Sequence, residues 1–188
     1  MTMRALSDYI RVYDDALPAA FCAQLVAGFE TTVEAQSRNG RGIRPGLEES
    51  AWTELDIGRL ADDAFRGFFL AQIEQFLERY NQDVQLGIAV PLRPRTDDLR
   101  MKRYRPGGDE GFQPHFDSID AVASRYLVFL WYLNDVEVGG ETLFCDLDIR
   151  IAPRAGRLLM FPPYWMFQHA GLPPVSGDKY ILSTYLMF

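Results

Sequence analysis

Histidine and cysteine are both scarce in this chain of 188 residues, with two of each against 13 phenylalanines and 9 tyrosines. Cys22 and Cys145 have no metal-type spacing between them and are too few for a disulfide framework. Both are read as free thiols in a reducing compartment. Bases are also in deficit, 19 against 26 acids for a formal net charge of −7. The molecule as a whole should therefore repel a phosphate backbone, and nucleic acid is not an expected partner. Long apolar runs are missing too. The first twenty residues carry Asp8, Asp14 and Asp15 in place of an apolar core, so neither a signal peptide nor a membrane span is expected, and the expected location is cytoplasmic. No internal repeat or low-complexity segment occurs.

What is present is a hydrophobic share of 48%, the composition of a packed globular chain of a size that one domain can hold. Residues 1–188 are accordingly read as a single domain, with 1–98 mainly helical support and 99–188 a β core. In the first part, Leu17 to Gln36 places Phe21, Leu25, Val26 and Phe29 at helical spacing. Ser37 to Leu47 (SRNGRGIRPGL) has arginines and glycines without a hydrophobic period and reads as a loop. A second helix is expected from Asp56 or Leu60 to Tyr80, and residues 91–98 (PLRPRTDD) should break regular structure.

From Leu99 the texture changes to short runs of β-branched and aromatic residues between Gly, Pro, Asn and Asp clusters. Strands are expected near 99–105, 111–116, 125–134, 141–144, 148–152, 156–161, 165–170 and 179–188. Helices first and many short strands afterwards predict an α+β fold, a jelly-roll core (a double-stranded β-helix) with supporting N-terminal helices.

The chemistry resides in the few histidines. In Gln113-Pro114-His115-Phe116-Asp117 an extended backbone points His115 and Asp117 to the same side and Phe116 the other way, into packing. His169, the remaining imidazole, can be brought alongside by antiparallel pairing. Two histidines and one carboxylate on one face of an octahedral ion leave positions open, as in non-haem Fe(II) oxygenases. A chance aspartate beside a satisfied core histidine is the competing account. In the last strand Lys179 heads KYILSTYLMF, sharing a face with Ile181, Ser183, Tyr185 and Met187. An inward ammonium needs an anionic partner such as a ligand carboxylate, whereas a strand-end lysine reaching solvent needs none.

Tyr104 through Asp117, Tyr132-Leu133-Asn134-Asp135, Gly139-Gly140-Glu141-Thr142, Pro153 to Phe161 and His169 to Tyr180 together resemble the prolyl 4-hydroxylase-like branch of the 2-oxoglutarate/Fe(II)-dependent dioxygenases. The resemblance covers the second half of the chain, in order and spacing. It implies His115, Asp117 and His169 as iron ligands, and Lys179, ten residues after His169, as the partner of the cosubstrate's far carboxylate. Tyr104 and Tyr132 would lie near the cosubstrate. Fe(II), 2-oxoglutarate and O2 would be required, with ascorbate as an optional addition. Asp117, where halogenases of this superfamily carry a small residue, favours hydroxylation or demethylation. The implied substrate is a prolyl or other residue of a peptide or protein, with Arg38, Arg41, Arg44 and the segment 117–124 as candidate groove rims. The alternatives are the same chemistry on a free amino acid or small metabolite, and a non-catalytic, cupin-like metal-binding jelly roll, from which His115-Phe116-Asp117 leans away. No membrane partner is expected.

Overall fold

The computed structural model describes residues 4–92 and 95–188. The first three residues of the N-terminal segment and residues 93 and 94 of the expected breaker stretch lie outside the described residues. In chain order the elements are β1 (Arg11–Tyr13), α1 (Ala19–Thr31), β2 (Ser37–Gly40), β3 (Ala51–Asp56), α2 (Ile57–Leu60) and α3 (Asp63–Val84). Then come β4 (Arg95–Thr96), β5 (Arg100–Tyr104), β6 (Phe112–His115), β7 (Arg125–Tyr132), β8 (Thr142–Phe144), β9 (Ile149–Ile151), β10 (Leu158–Phe161), β11 (His169–Gly171) and β12 (Lys179–Met187).

The strands form two antiparallel sheets. The larger runs β1-β10-β7-β12-β5-β3-β2, with β4 on the far part of β12, and the smaller runs β6-β11-β8-β9. The two face each other as the jelly-roll plan requires. Period-two alternation divides the larger sheet cleanly. Phe129 and Trp131 of β7, Leu158 and Met160 of β10, and Leu182 and Leu186 of β12 turn to one side. There they pack with Leu25 and Phe29 of α1 and Phe69, Ile73, Phe76 and Leu77 of α3. Val128, Tyr132, Leu159, Phe161 and Ile181 turn to the other side and meet Phe144 and Phe167 between the sheets.

The helices begin and end for local reasons. The Asp62 carboxylate accepts from the Phe65 amide at 2.8 Å and opens α3, and Gln85 closes it in the left-handed region with φ 51°. α1 stops at Thr31, short of the expected Gln36. The hydroxyls of Thr31 and Thr32 turn back onto the Gly28 carbonyl, and a single 3-10 turn, Val33–Ala35, follows.

Two expectations need correction, and strands also form where no element was assigned. Ser37 to Leu47 is not a loop throughout: its first four residues form β2, paired with β3 from Ser37↔Glu54 to Gly40↔Ala51. β3 occupies residues to which no element was assigned, and its last residue, Asp56, caps α2 by accepting from the Arg59 amide. β4, inside the expected breaker, pairs Thr96 with Leu186. In each case tertiary pairing supplies what weak local propensity does not. β5 to β12 fall where expected, except that Trp165–Phe167 is a 3-10 turn ahead of β11, and β1 forms at residues for which no strand was expected.

Phe129 is fully buried between sheet and helices. Phe129→Ala should lower the unfolding free energy by about 3–5 kcal/mol. Ile88→Ala, at a position 90% exposed, should stay within about 0.5 kcal/mol. Denaturant titration of the two variants checks both.

Candidate metal centre

β6 and β11 are neighbours, and their register places His169 directly opposite His115. Asp117 follows β6 by two residues, its amide held by the Pro163 carbonyl at 3.0 Å. The result is a cluster whose three ligand atoms lie within 4.8 Å of one another. His115 Nε2 is 3.5 Å from Asp117 Oδ1, and His169 Nε2 is 3.4 Å from Asp117 Oδ2.

The histidine tautomers follow from their other nitrogens. His115 Nδ1 stands 2.7 Å from the Gln113 carbonyl and His169 Nδ1 3.1 Å from the Phe167 carbonyl. A carbonyl accepts only, so each Nδ1 carries the proton and each Nε2 presents a lone pair. Burial holds the His169 imidazolium pKa down to about 4, so that ring is neutral at pH 7. Burial works to raise the Asp117 carboxyl, but the charges around it outweigh that and hold it below the usual carboxylate range, so the group is ionised. Two lone pairs and a carboxylate converging on one point repel one another unless a cation lies between them. The donor set therefore fits a divalent metal, with the carbonyl-bound Nδ1 groups as outer supports.

Around the cluster is a small cavity whose walls include Tyr104, Val128, Leu130, Thr142, Lys179, Ile181 and Ser183. Lys179 is 2% exposed, so it points inward. Its Nζ lies 5.2 Å from the Tyr104 ring centroid and 5.9 Å from that of Tyr132. Burial pulls its pKa down to about 7, against the opposing field of Glu141. Space beside it is kept by glycine: a Cβ on Gly171 would stand 3.4 Å from Phe112 Cβ and 3.9 Å from Lys179 Nζ. Tyr132 is anchored by a 2.6 Å hydrogen bond with Thr142 Oγ1. Its phenol, like that of Tyr104, is pushed up by burial and stays neutral. Lys179 and Tyr104 thus share the wall of the cavity that holds the three metal-type ligands, whereas Tyr132 lies behind that wall, bonded to Thr142.

Two residues at the cluster carried no role in the sequence reading. Tyr185 donates to Asp117 Oδ1 at 3.0 Å and carries the Arg125 guanidinium 3.9 Å above its ring. Burial and Asp117 keep its phenol protonated, so it serves as a fixed donor. Lys102, one strand over, lines the same cavity. The signal for Tyr185 was present in its face of the last strand; the signal for Lys102 was its place two residues before Tyr104.

Outside the inner cavity, two clefts of about 1060 and 830 Å³ both reach Asp117 and Phe112, and Arg44, Val122 and Arg125 line both. Of the three arginines expected at the rim, Arg44 is there. Arg38 instead pairs with Glu110 at 3.5 Å, and Arg41 donates to the Glu48 carbonyl. Phe116 also departs from expectation, lining the second cleft and not the core. Gln113 secures this side by bonding Glu49, Ser50 and Gly46.

Residues 99–187 match the model of the 2OG-Fe(II) oxygenase superfamily. Beyond that match, the chain is similar to prolyl 4-hydroxylases. It is 27% identical over 166 residues to prolyl 4-hydroxylase subunit alpha-1 of Gallus gallus, a match covering 76% of this chain and 31% of that protein. The chain thus spans about a third of the curated subunit's length. The viral collagen prolyl hydroxylase of Paramecium bursaria Chlorella virus-1, solved with 2OG, superposes with a TM-score of 0.63 at 21% identity, covering 95% of both chains. A prolyl hydroxylase of Trichoplax adhaerens, in complex with a hypoxia-inducible-factor peptide fragment, gives 0.68 at 16% identity over 96% of this chain and 84% of the other. These two structural likenesses concern the fold. Among the described residues no helix is long and apolar enough to cross a membrane.

Burial of Lys179 without an ion pair among the described residues should cost stability. Its folded pKa of about 7 lies below the unfolded value near 10.4, so the unfolded chain binds the extra proton between them. Stability from this group is then lowest below about pH 7 and recovers as pH rises toward the unfolded value. Lys179→Met should stabilise the ligand-free protein by roughly 1–4 kcal/mol at pH 6, with a smaller gain at pH 9. Urea titrations at the two pH values measure the difference.

Proposed function

We propose that the chain is an Fe(II)- and 2-oxoglutarate-dependent dioxygenase that hydroxylates a prolyl or other residue of a peptide or protein. The observation that carries this reading is the meeting of two Nε2 lone pairs and the Asp117 carboxylate on the wall of a cavity that also holds a buried lysine. His115, Asp117 and His169 would hold the iron, and Lys179 would take the far carboxylate of 2-oxoglutarate between Tyr104 and Tyr132. When bound, iron and 2-oxoglutarate supply O2 activation, by which a C–H bond becomes C–OH as the cosubstrate is decarboxylated to succinate.

The chain's own groups have separable tasks. The carbonyls of Gln113 and Phe167 fix each imidazole's tautomer and aim, and Tyr185 holds one oxygen of Asp117. Lys179 supplies an anchoring charge in a dry recess, where a charge-assisted hydrogen bond is strong. Val128, Leu130 and Ile181 wall the reacting region against water. The outer clefts at Asp117 are open enough for an extended peptide, and the relatives named prolyl hydroxylases support that substrate class.

The free thiols of Cys22 and Cys145 favour a reducing, cytoplasmic setting. Net acidity favours a protein or small-molecule substrate over nucleic acid. The 188 residues are proposed to work as one catalytic domain, residues 1–98 bracing a core formed by 99–188.

Incubation with Fe(II), ascorbate and 2-oxoglutarate against a peptide and metabolite panel should give substrate-dependent succinate with the wild type. His115→Ala and Asp117→Ala should return it to background. Lys179→Ala should raise the 2-oxoglutarate requirement about tenfold or more. Unchanged iron affinity in His169→Ala would sink the assignment.

A further inference from the structure

We propose that Lys102 is the substrate-anchoring residue of this site and that it selects a substrate presenting a carboxylate beside the metal ligands. The inference rests on reading the site as an Fe(II)/2-oxoglutarate centre. Lys102 lines both the inner cavity and the larger outer cleft, so its ammonium stands where the two meet. It is held there by aromatic faces, 5.1 Å from the Trp52 ring centroid and 5.4 Å from that of Phe112. Ring faces support a cation but leave its N–H donors without acceptors.

Glu54, whose field acts on Lys102, forms no salt bridge with it among the described residues. Its Oε2 accepts from Trp52 Nε1 at 2.7 Å, and its Oε1 faces Arg100 at 3.4 Å, a guanidinium that also meets Asp98 at 2.8 Å. Arg125, in the same cleft, is neutralised by Asp97. Lys102 makes no salt bridge among the described residues. The loaded centre does not supply a counterion either. The two positive charges of Fe(II) and the one of Lys179 would be balanced by Asp117 and the cosubstrate dianion, so no anion of the loaded centre is free to pair with Lys102.

Lys102 is also placed apart from the cosubstrate anchor. Lys179 pairs across the sheet with Tyr104 and Lys102 with Ile181, a two-residue offset of about 7 Å along the strands. Lys102 therefore lies on the outer cleft that Asp117 and Tyr185 also line, and there a substrate carboxylate would accept from the N–H donors that the ring faces leave open.

Two sources share this chemistry: a free acid such as an amino acid, and an acidic side chain of a peptide. Anaerobic calorimetry on protein loaded with Fe(II) and 2-oxoglutarate separates them. One series pairs L-proline, L-aspartate and L-glutamate with their α-amides. The other pairs end-capped peptides containing Asp or Glu with their Asn or Gln counterparts. In one series the acid should bind roughly tenfold to a hundredfold more tightly than its amide. Lys102→Met should erase that preference, Lys102→Arg should keep it, and neither should shift 2-oxoglutarate affinity. The proposal fails if no acid is preferred in either series or if the preference survives in Lys102→Met. It also fails if Lys102→Met weakens 2-oxoglutarate as Lys179→Met does, which would assign Lys102 to the cosubstrate. Wild-type protein that takes up neither Fe(II) nor 2-oxoglutarate would remove the underlying reading as well, and that result is seen before any acid is added.

Discussion

The register between β6 and β11 is the constraint on which the site depends. It sets His115 opposite His169, and a slip of one residue would send one imidazole to the other face of the sheet. Once the strands are paired, the backbone does the rest. Two carbonyls take the Nδ1 protons, the Pro163 carbonyl holds Asp117 in place, and Tyr185 reaches over from β12 to hold its carboxylate. The three donor side chains therefore converge through main-chain hydrogen bonds together with aromatic packing, His115 stacked on Phe112 and His169 edge-on to Phe161.

The larger sheet makes this possible by giving its two faces different work. Its helix face is almost wholly apolar and buries α1 and α3, which provides the cohesion of the domain. Its inner face carries Lys102, Tyr104, Lys179, Ser183 and Tyr185 into the cavity. Two lysines, both with pKa values lowered by burial, are unfavourable for an empty protein. Such a surface is tolerated because the opposite face is well packed.

Much of the second half was legible in the sequence because its strands are short, apolar and bounded by Gly, Pro, Asn and Asp, so period-two alternation marks them. The face assignment of Lys179 followed from that alternation alone. β2 and β3 were illegible for the opposite reason. Ser37-Arg38-Asn39-Gly40 has no apolar face, and Trp52 and Leu55 sit among Glu and Asp; both strands exist because β5 offers an edge that pairs with β3. Phe116 was misplaced because the backbone turns after His115, so strict alternation ends one residue too early.

By itself the sequence determined the ingredients: a chain with two histidines, an aspartate two residues after the first, and one lysine heading an otherwise uncharged strand. Residue type and local period suffice for that, since they depend only on neighbours along the chain. Tertiary structure decided which of these met and what else joined them. Tyr185, Lys102, Trp52 and Glu54 enter the site from β12, β5 and β3, brought together by cross-strand pairing between residues far apart in order. No local pattern encodes such distances, because they arise only when the sheets close on one another and strip the water from the groups between them.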